Sequence, residues 1–144
     1  MTSNNIYFTR VYNSFIRQGL MKAIGAKLGI VERGTCEIIL PYSEKITQQQ
    51  GGFHGGAIGA IADIAAGYAS LTVAPEDSEV TTVEYKINFL GAFHNGALHA
   101  RGRVLKEGKR IFVTGADVFH IDGNGKETLC AVLQQTLVPV KKTY

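Results

Sequence analysis

The sequence contains no tryptophan, only two cysteines, Cys36 and Cys130, and no block of basic residues interleaved with aromatic ones. A net charge of +3 is too weakly basic to indicate nucleic-acid binding. Both cysteines lie in apolar, strand-like stretches, which suits buried, reduced thiols better than a disulfide. Because His94, His99 and His120 have no ligand spacing with one another or with the cysteines, the sequence predicts no metal site.

Motifs of several common protein classes are also missing. The sequence has no Gly-x-Ser-x-Gly elbow, the motif that carries the nucleophile in one class of serine hydrolases. It also has no Gly-x-x-x-x-Gly-Lys loop, the motif that binds nucleotide phosphates. The N-terminus lacks a basic start followed by an apolar run, so we expect no signal peptide and a cytoplasmic location. Residues 55–75 are nearly uncharged, but they are rich in Ala and Gly and include Asp63, so we expect no membrane span.

The length and composition fit one globular domain. The chain has 144 residues, of which 45% are hydrophobic and 19% charged, a size and balance typical of a single fold with one core. No internal repeat, linker or low-complexity segment interrupts it. We therefore expect residues 1–144 to form one domain.

The hydrophobic pattern predicts two helices and six strands. Helical spacing predicts a short helix over about residues 4–18, ended by Gly19, and a long one over about residues 54–72, stopped near Pro75. Runs of strand character cover residues 26–33, 35–41, 80–90, 97–108, 109–122 and 126–140. The long helix is apolar nearly all round, so it must be buried on more than one side. These observations predict an α+β fold in which a curved antiparallel sheet wraps around a long central helix.

One acidic residue on this helix is unusual. Asp63 is the one acid in residues 54–71, which are otherwise almost all Gly, Ala and Ile, and an unpaired carboxylate is costly to bury. The helix starts at His54-Gly55-Gly56, where we expect the amides of Gly55 and Gly56 to be free, with the positive end of the helix dipole behind them. Such amides can form an oxyanion hole, although a phosphate could dock there too and most Gly-Gly pairs only make a turn.

The spacing of His54 and Asp63 bears on how a site could use both. Nine residues separate them, which is a net half turn and a rise of roughly 13 Å along a helix. The two side chains therefore point to opposite faces and cannot easily act on one bond within one subunit. Across a two-fold axis, the helix start of one chain can face the acid of another, so any site that uses both is expected to be shared in a dimer.

These residues carry a resemblance to a known family. Gln-Gly-Gly-Phe-His-Gly-Gly over residues 50–56, then Ala-Asp-Ile-Ala over residues 62–65, and the later run over residues 81–93 resemble the acyl-CoA thioesterases of the hotdog fold. Within that family the pattern is similar to the phenylacetic-acid-degradation, or PaaI-like, branch. The resemblance covers about residues 25–138. It implies a thioesterase that releases a carboxylic acid and coenzyme A from a thioester.

The resemblance also implies a role for each site residue. Asp63 would be the nucleophile or the general base that activates water. The Gly55 N–H of the opposite subunit would hold the oxyanion, His54 would position a polar neighbour, and Gly56 would permit close packing at the coenzyme A site. Gln48 stands where this branch commonly has an Asn that polarises the carbonyl.

The resemblance places a Ser or Thr that assists the acid at Thr82. The alternation of the strand over residues 80–90 disagrees with that role, because it groups Thr82 with Glu84, on the face opposite Val83, Tyr85, Ile87 and Phe89.

Binding and assembly complete the expectations. Lys106, Lys109 and Arg110 surround a turn and would suit the phosphates of coenzyme A, or they are simply a solvated hairpin. The resemblance implies no metal or other cofactor beyond coenzyme A as part of the substrate, and no nucleic-acid or membrane partner. It implies a homo-oligomer, commonly a dimer of dimers.

Other readings of the same residues stay open. Asp63 could be a structural acid that bonds backbone amides of a neighbouring chain. A hotdog dehydratase or hydratase also handles acyl thioesters, but it typically pairs a His with an acid, and the only His linked to the helix lies at the Gly-Gly turn. A non-catalytic acyl-CoA binder is the remaining alternative.

Overall fold

The computed structural model describes residues 5–144. Its helices are α1 (Ile6–Phe15), α2 (Gly19–Ile24) and α3 (Gly55–Leu71), with a 3₁₀ turn at Glu44–Ile46. Its strands are β1 (Lys27–Glu32), β2 (Thr35–Pro41), β3 (Ser78–Phe89), β4 (Ala97–Glu107), β5 (Phe112–Ile121) and β6 (Glu127–Lys141). The predicted start of the first helix, Asn4, lies outside the described residues.

The six strands form one antiparallel sheet in the order β1-β2-β4-β5-β6-β3. Strands β4, β5 and β6 follow one another as hairpins, and β6 pairs on its other side with the earlier strand β3, which forms the edge of the sheet. The sheet is curved and packs on the long helix α3. The predicted hotdog fold, with its central helix and six strands, is therefore confirmed.

Helix α3 is held tightly against the sheet. Ile61, Ala65 and Ala66 are fully buried, and the small side chains let the helix backbone approach β4. A Cβ atom added to Gly102 would lie 2.3 Å from the Ala65 carbonyl oxygen, so only glycine fits there. Within residues 5–144, no helix is both long and apolar enough to cross a membrane.

The N-terminal segment differs from its prediction. Asn5 caps α1 through a hydrogen bond from the Phe8 N–H, but α1 ends at Phe15, and Gly19 begins the six-residue helix α2 instead of ending α1. A helix this short is marginal by itself, and it is held by the fully buried Met21. Tertiary packing, which local periodicity does not reveal, therefore explains the missed helix.

Strand β3 contains a bulge that changes which residues face the helix. Thr82 pairs with Leu137 and Glu84 pairs with Thr136, so one extra residue, Val83, lies between two successive pairs. Thr82 and Tyr85, an odd number of positions apart, consequently both face α3. The predicted alternation, which grouped Thr82 with Glu84 and Val83 with Tyr85, is wrong because strict period two does not allow for an inserted residue.

The two cysteines are free and buried, as predicted. Burial raises the pKa of the Cys130 thiol to about 11, and burial, together with the nearby Glu37 carboxylate, raises the pKa of Cys36 further. Both side chains therefore stay as neutral thiols that pack like small apolar residues.

Candidate active site

Asp63 lies on α3 as a half-buried side chain with two hydrogen-bond donors. The Thr82 hydroxyl donates to its Oδ1 atom at 2.7 Å, and the Gln135 side-chain amide donates to the same oxygen at 2.6 Å. The expectation of an unpaired acid is therefore wrong. Donors from β3 and β6 offset the cost of partly burying the carboxylate.

The second carboxylate oxygen, Asp63 Oδ2, has no hydrogen-bond partner among the described residues. Every fully buried side-chain nitrogen or oxygen in that part of the chain has a partner, so Oδ2 is not fully buried. Asp63 lines a cleft of about 80 Å³ between α3, α1 and β3. One oxygen of this carboxylate is thus anchored and the other is available for chemistry.

Gln135 was not predicted as part of the site. It is fully buried, and its Oε1 atom accepts a hydrogen bond at 3.2 Å from Thr114, which is also fully buried. Gln135 lies between Leu133 and Leu137 on the buried face of β6. This position could have indicated its role from the sequence, because a polar side chain on an otherwise apolar strand face needs a hydrogen-bond partner in the protein interior.

The far side of the cleft is closed by the N-terminal helix. The Tyr68 hydroxyl is hydrogen-bonded to Ser14 at 2.9 Å and accepts from the Gln18 side-chain amide at 2.8 Å. Burial raises the pKa of Tyr68 to about 12, so the phenol is neutral at ordinary pH. Tyr68, Ser14 and Gln18 all line the cleft, and the contribution of α1 to it was not predicted.

The start of α3 is capped by its own histidine. His54 Nδ1 accepts a hydrogen bond from the Gly56 N–H at 2.7 Å, so the expectation that both glycine amides are free is wrong for Gly56. The Gly55 N–H has no acceptor among residues 5–144. A Cβ on Gly56 would lie 2.9 Å from His54 Nδ1, which explains why a glycine is needed for this cap.

One chain does not bring the helix start and the acid together. Neither His54 nor Gly55 lines the cleft that contains Asp63, and the nine intervening residues correspond to a rise of roughly 13 Å. The structure therefore agrees with the spacing argument that a single subunit does not combine them.

Gln48 lies on the loop that leads into α3. Its side-chain oxygen accepts a hydrogen bond from the Gln50 N–H at 2.5 Å, and its backbone N–H donates to the Gly52 carbonyl at 2.9 Å. The amide nitrogen lies 3.2 Å from the position that a Cβ on Gly52 would occupy. Within one chain, Gln48 thus orders the glycine-rich loop and makes no hydrogen bond to Asp63.

The three basic residues predicted for coenzyme A lie around the β4–β5 hairpin. Lys106, Lys109 and Arg110 are all exposed, and none forms an ion pair with another described residue. They do not line the Asp63 cleft. Their positive charge is available to an anionic group that reaches the hairpin from outside.

The other histidines have structural contacts. His99 pairs with Glu37 at 3.0 Å, and His120 Nε2 lies 2.9 Å from the Asn95 carbonyl oxygen. Among residues 5–144, no group of three or more His, Cys, Asp or Glu side chains is arranged to hold a metal ion.

Comparisons with known proteins agree with this geometry. The sequence model of the thioesterase superfamily matches residues 50–126. A Saccharolobus solfataricus protein, provisionally named an esterase, is 35% identical over 104 residues, which cover 72% of this chain and 74% of that protein.

Solved structures give the same picture. A thioesterase family protein from Silicibacter pomeroyi is 32% identical with a TM-score of 0.90, over 94% of this chain and 99% of that one. The PaaI protein of the E. coli phenylacetic acid degradation operon is similar in fold, with a TM-score of 0.82 and 18% identity over 95% of both chains. The chain belongs to the thioesterase superfamily and is a hydrolase that acts on thioesters.

Proposed function

We propose that this protein hydrolyses an acyl-CoA or aryl-acyl-CoA thioester to a free acid and coenzyme A. The observation that carries the proposal is the Asp63 carboxylate, which is half-buried on the central helix, hydrogen-bonded by Thr82 and in contact with a cleft. Coenzyme A enters as part of the substrate, and the proposed chemistry uses no other cofactor.

The Asp63 carboxylate supports two routes to the same products. As a nucleophile, it attacks the thioester carbonyl carbon, the C–S bond breaks, and water then hydrolyses the resulting anhydride. As a general base, it takes a proton from a water molecule whose oxygen attacks the carbonyl directly. In both routes the sulfur leaves as a thiolate and is protonated, and Thr82 holds the carboxylate in place.

The proposed oxyanion donor is the Gly55 N–H of a second subunit. This amide has no acceptor among the described residues of its own chain, and it lies at the positive end of α3. His54, by capping Gly56, fixes the helix start that presents the Gly55 amide. The Gln48 amide, on the preceding loop, is the proposed second polar contact to the thioester carbonyl.

The edge of the sheet supports such sharing between subunits. Strand β3 is an edge strand, and Val83, Tyr85 and Phe89 on it are exposed. A long edge strand with exposed apolar residues is a template for pairing with another chain. We propose a homodimer paired through β3, which then assembles as a dimer of dimers.

The proposed site for the nucleotide end of coenzyme A is the β4–β5 hairpin. Lys106, Lys109 and Arg110 are exposed there with no ion-pair partner in residues 5–144, and cations of this kind bind phosphate oxygens. Gly56 is the proposed point of close packing beside the substrate at the helix start.

Thiol release from a panel of acyl-CoA substrates tests the proposal. Asp63→Asn keeps the shape of the side chain but removes its charge, and we expect kcat/KM to fall on the order of 10²-fold or more. Asp77→Asn is the matched control, because Asp77 is an exposed acid outside the cleft. If Asp63→Asn folds normally and retains the turnover of the parent, the proposed mechanism is wrong.

A further inference from the structure

We infer that Gln135 is a positioning residue, which anchors Oδ1 of Asp63 and thereby makes Oδ2 the oxygen that reacts. This inference rests on the proposed function, since it requires Asp63 to be the catalytic carboxylate. Gln135 does not line the cleft that Asp63 and Thr82 share, so it acts on the reaction through Asp63 rather than by touching the substrate.

The hydrogen bonds of Gln135 fix its orientation. Its side chain is fully buried, where an amide without partners would be costly. The Thr114 hydroxyl donates to Oε1 at 3.2 Å, which turns the amide nitrogen toward Asp63 Oδ1 at 2.6 Å. An ionised carboxylate only accepts hydrogen bonds, so the amide nitrogen is the end of Gln135 that can bond to Asp63.

Two donors from different strands then determine the rotation of the carboxylate. Thr82 from β3 and Gln135 from β6 both donate to Oδ1, and the Gln135 amide also reaches Thr82 Oγ1 at 3.4 Å. Rotation of the carboxylate would break both bonds to Oδ1. Because Oδ2 has no hydrogen bond in the described residues and is not fully buried, it is the oxygen left to attack carbon or to accept a proton.

Thr114 is part of the same arrangement. It is fully buried on β5, and its hydroxyl is the group that determines which end of the Gln135 amide faces Asp63. The order of contacts, Thr114 to Gln135 to Asp63, therefore crosses from β5 through β6 to the central helix. A change at Thr114 is expected to affect the reaction without altering any residue that lines the cleft.

Kinetics of a Gln135→Met variant test the inference. Met has a similar length but no N–H donor, and loss of a hydrogen bond to a charged group is expected to lower kcat/KM about 10- to 100-fold. The fall should appear in kcat rather than KM. Gln134→Met is the matched control, since Gln134 is the exposed neighbour on the same strand.

A second pair of variants keeps the test decisive if Gln135→Met does not fold. Thr114→Val removes the hydroxyl that orients the amide, and Thr114→Ser keeps it. We expect Thr114→Val to lower kcat and Thr114→Ser to restore it, while KM changes little in either. A merely structural role would lower the thermal midpoint of both variants and leave the kcat of the folded protein unchanged.

The outcomes separate this inference from the proposed function. If Asp63→Asn is inactive while Gln135→Met and Thr114→Val keep the kcat of the parent, the inference is wrong and the proposed function stands. If Asp63→Asn keeps the turnover of the parent, the proposed mechanism is wrong and the inference fails with it. Inactivity of Asp63→Asn together with a lower kcat and an unchanged KM in Gln135→Met supports both.

Discussion

The close packing of the central helix on β4 at Gly102 predicts a large effect from a single methyl group. A Cβ on Gly102 would lie 2.3 Å from the Ala65 carbonyl oxygen and 2.6 Å from the Ala66 nitrogen, whereas an ordinary contact begins at 3.4 Å. Both are backbone atoms of α3, so no side chain can rotate away. Gly102→Ala therefore requires the helix or β4 to move by about 1 Å in a closely packed core.

Such overpacking costs about 1–3 kcal/mol, and we expect a value near the upper end because the atoms in the way are backbone. For a chain of this length, the thermal midpoint should fall by about 5–10 °C. Activity should fall as well, since Ala65 is two residues from Asp63, and a displacement of about 1 Å in a catalytic group can cost on the order of 10²-fold in rate.

Thermal unfolding by circular dichroism and thiol release at a temperature where both proteins are folded measure these effects. Gly123→Ala is the control, because an added Cβ there has no atom within 4 Å. If Gly102→Ala unfolds at the temperature of the parent and keeps its kcat, the packing argument for the position of α3 is refuted.

Two further predictions concern groups outside the site. Burial alone would raise the pKa of Glu37, but hydrogen bonds from His99 and Arg101 outweigh it and lower this pKa. The carboxylate of Glu37 thus stabilises the folded protein at neutral pH, and this stabilisation is lost as the pH falls through the folded-state pKa. We expect urea unfolding at pH 7 to show that Glu37→Gln is less stable than the parent by about 1 kcal/mol. Equal loss of stability in acid by the two proteins would contradict this prediction. Burial raises the pKa of Cys130 to about 11 and raises the pKa of Cys36 as well. A thiol reagent at pH 8 should therefore label neither cysteine in the folded protein and both cysteines after unfolding. Rapid labelling of the folded protein would show instead that the thiols are accessible.

Local patterns were sufficient for most of the fold. Helix α3 and strands β3 to β6 are each much longer than the errors in their predicted boundaries. Their sequences are therefore long enough for the helical period of 3.6 residues and the strand period of two to distinguish them. The helix α2 could not be predicted in this way, since six residues carry too little periodic signal and Met21 stabilises the helix only through the core.

The candidate site was predictable only as far as single residues are unusual. The sequence alone shows Asp63 among small apolar residues and the His-Gly-Gly turn. Helix geometry then predicts that one chain does not bring the acid and this turn into the same site. The role of His54 as a cap that occupies the Gly56 amide required coordinates, because it depends on a side-chain rotamer.

The sequence by itself determined the class of fold, the central helix, the acid on it and the free, buried state of the two cysteines. Only the tertiary structure decided which groups surround that acid. The bulge at Val83 turns Thr82 toward α3, and packing of α3 on β6 brings Gln135 to Asp63 from 72 residues away. These contacts depend on strand register and on long-range pairing, which leave no local period in the sequence, because a one-residue change in register moves a side chain to the opposite face of the sheet.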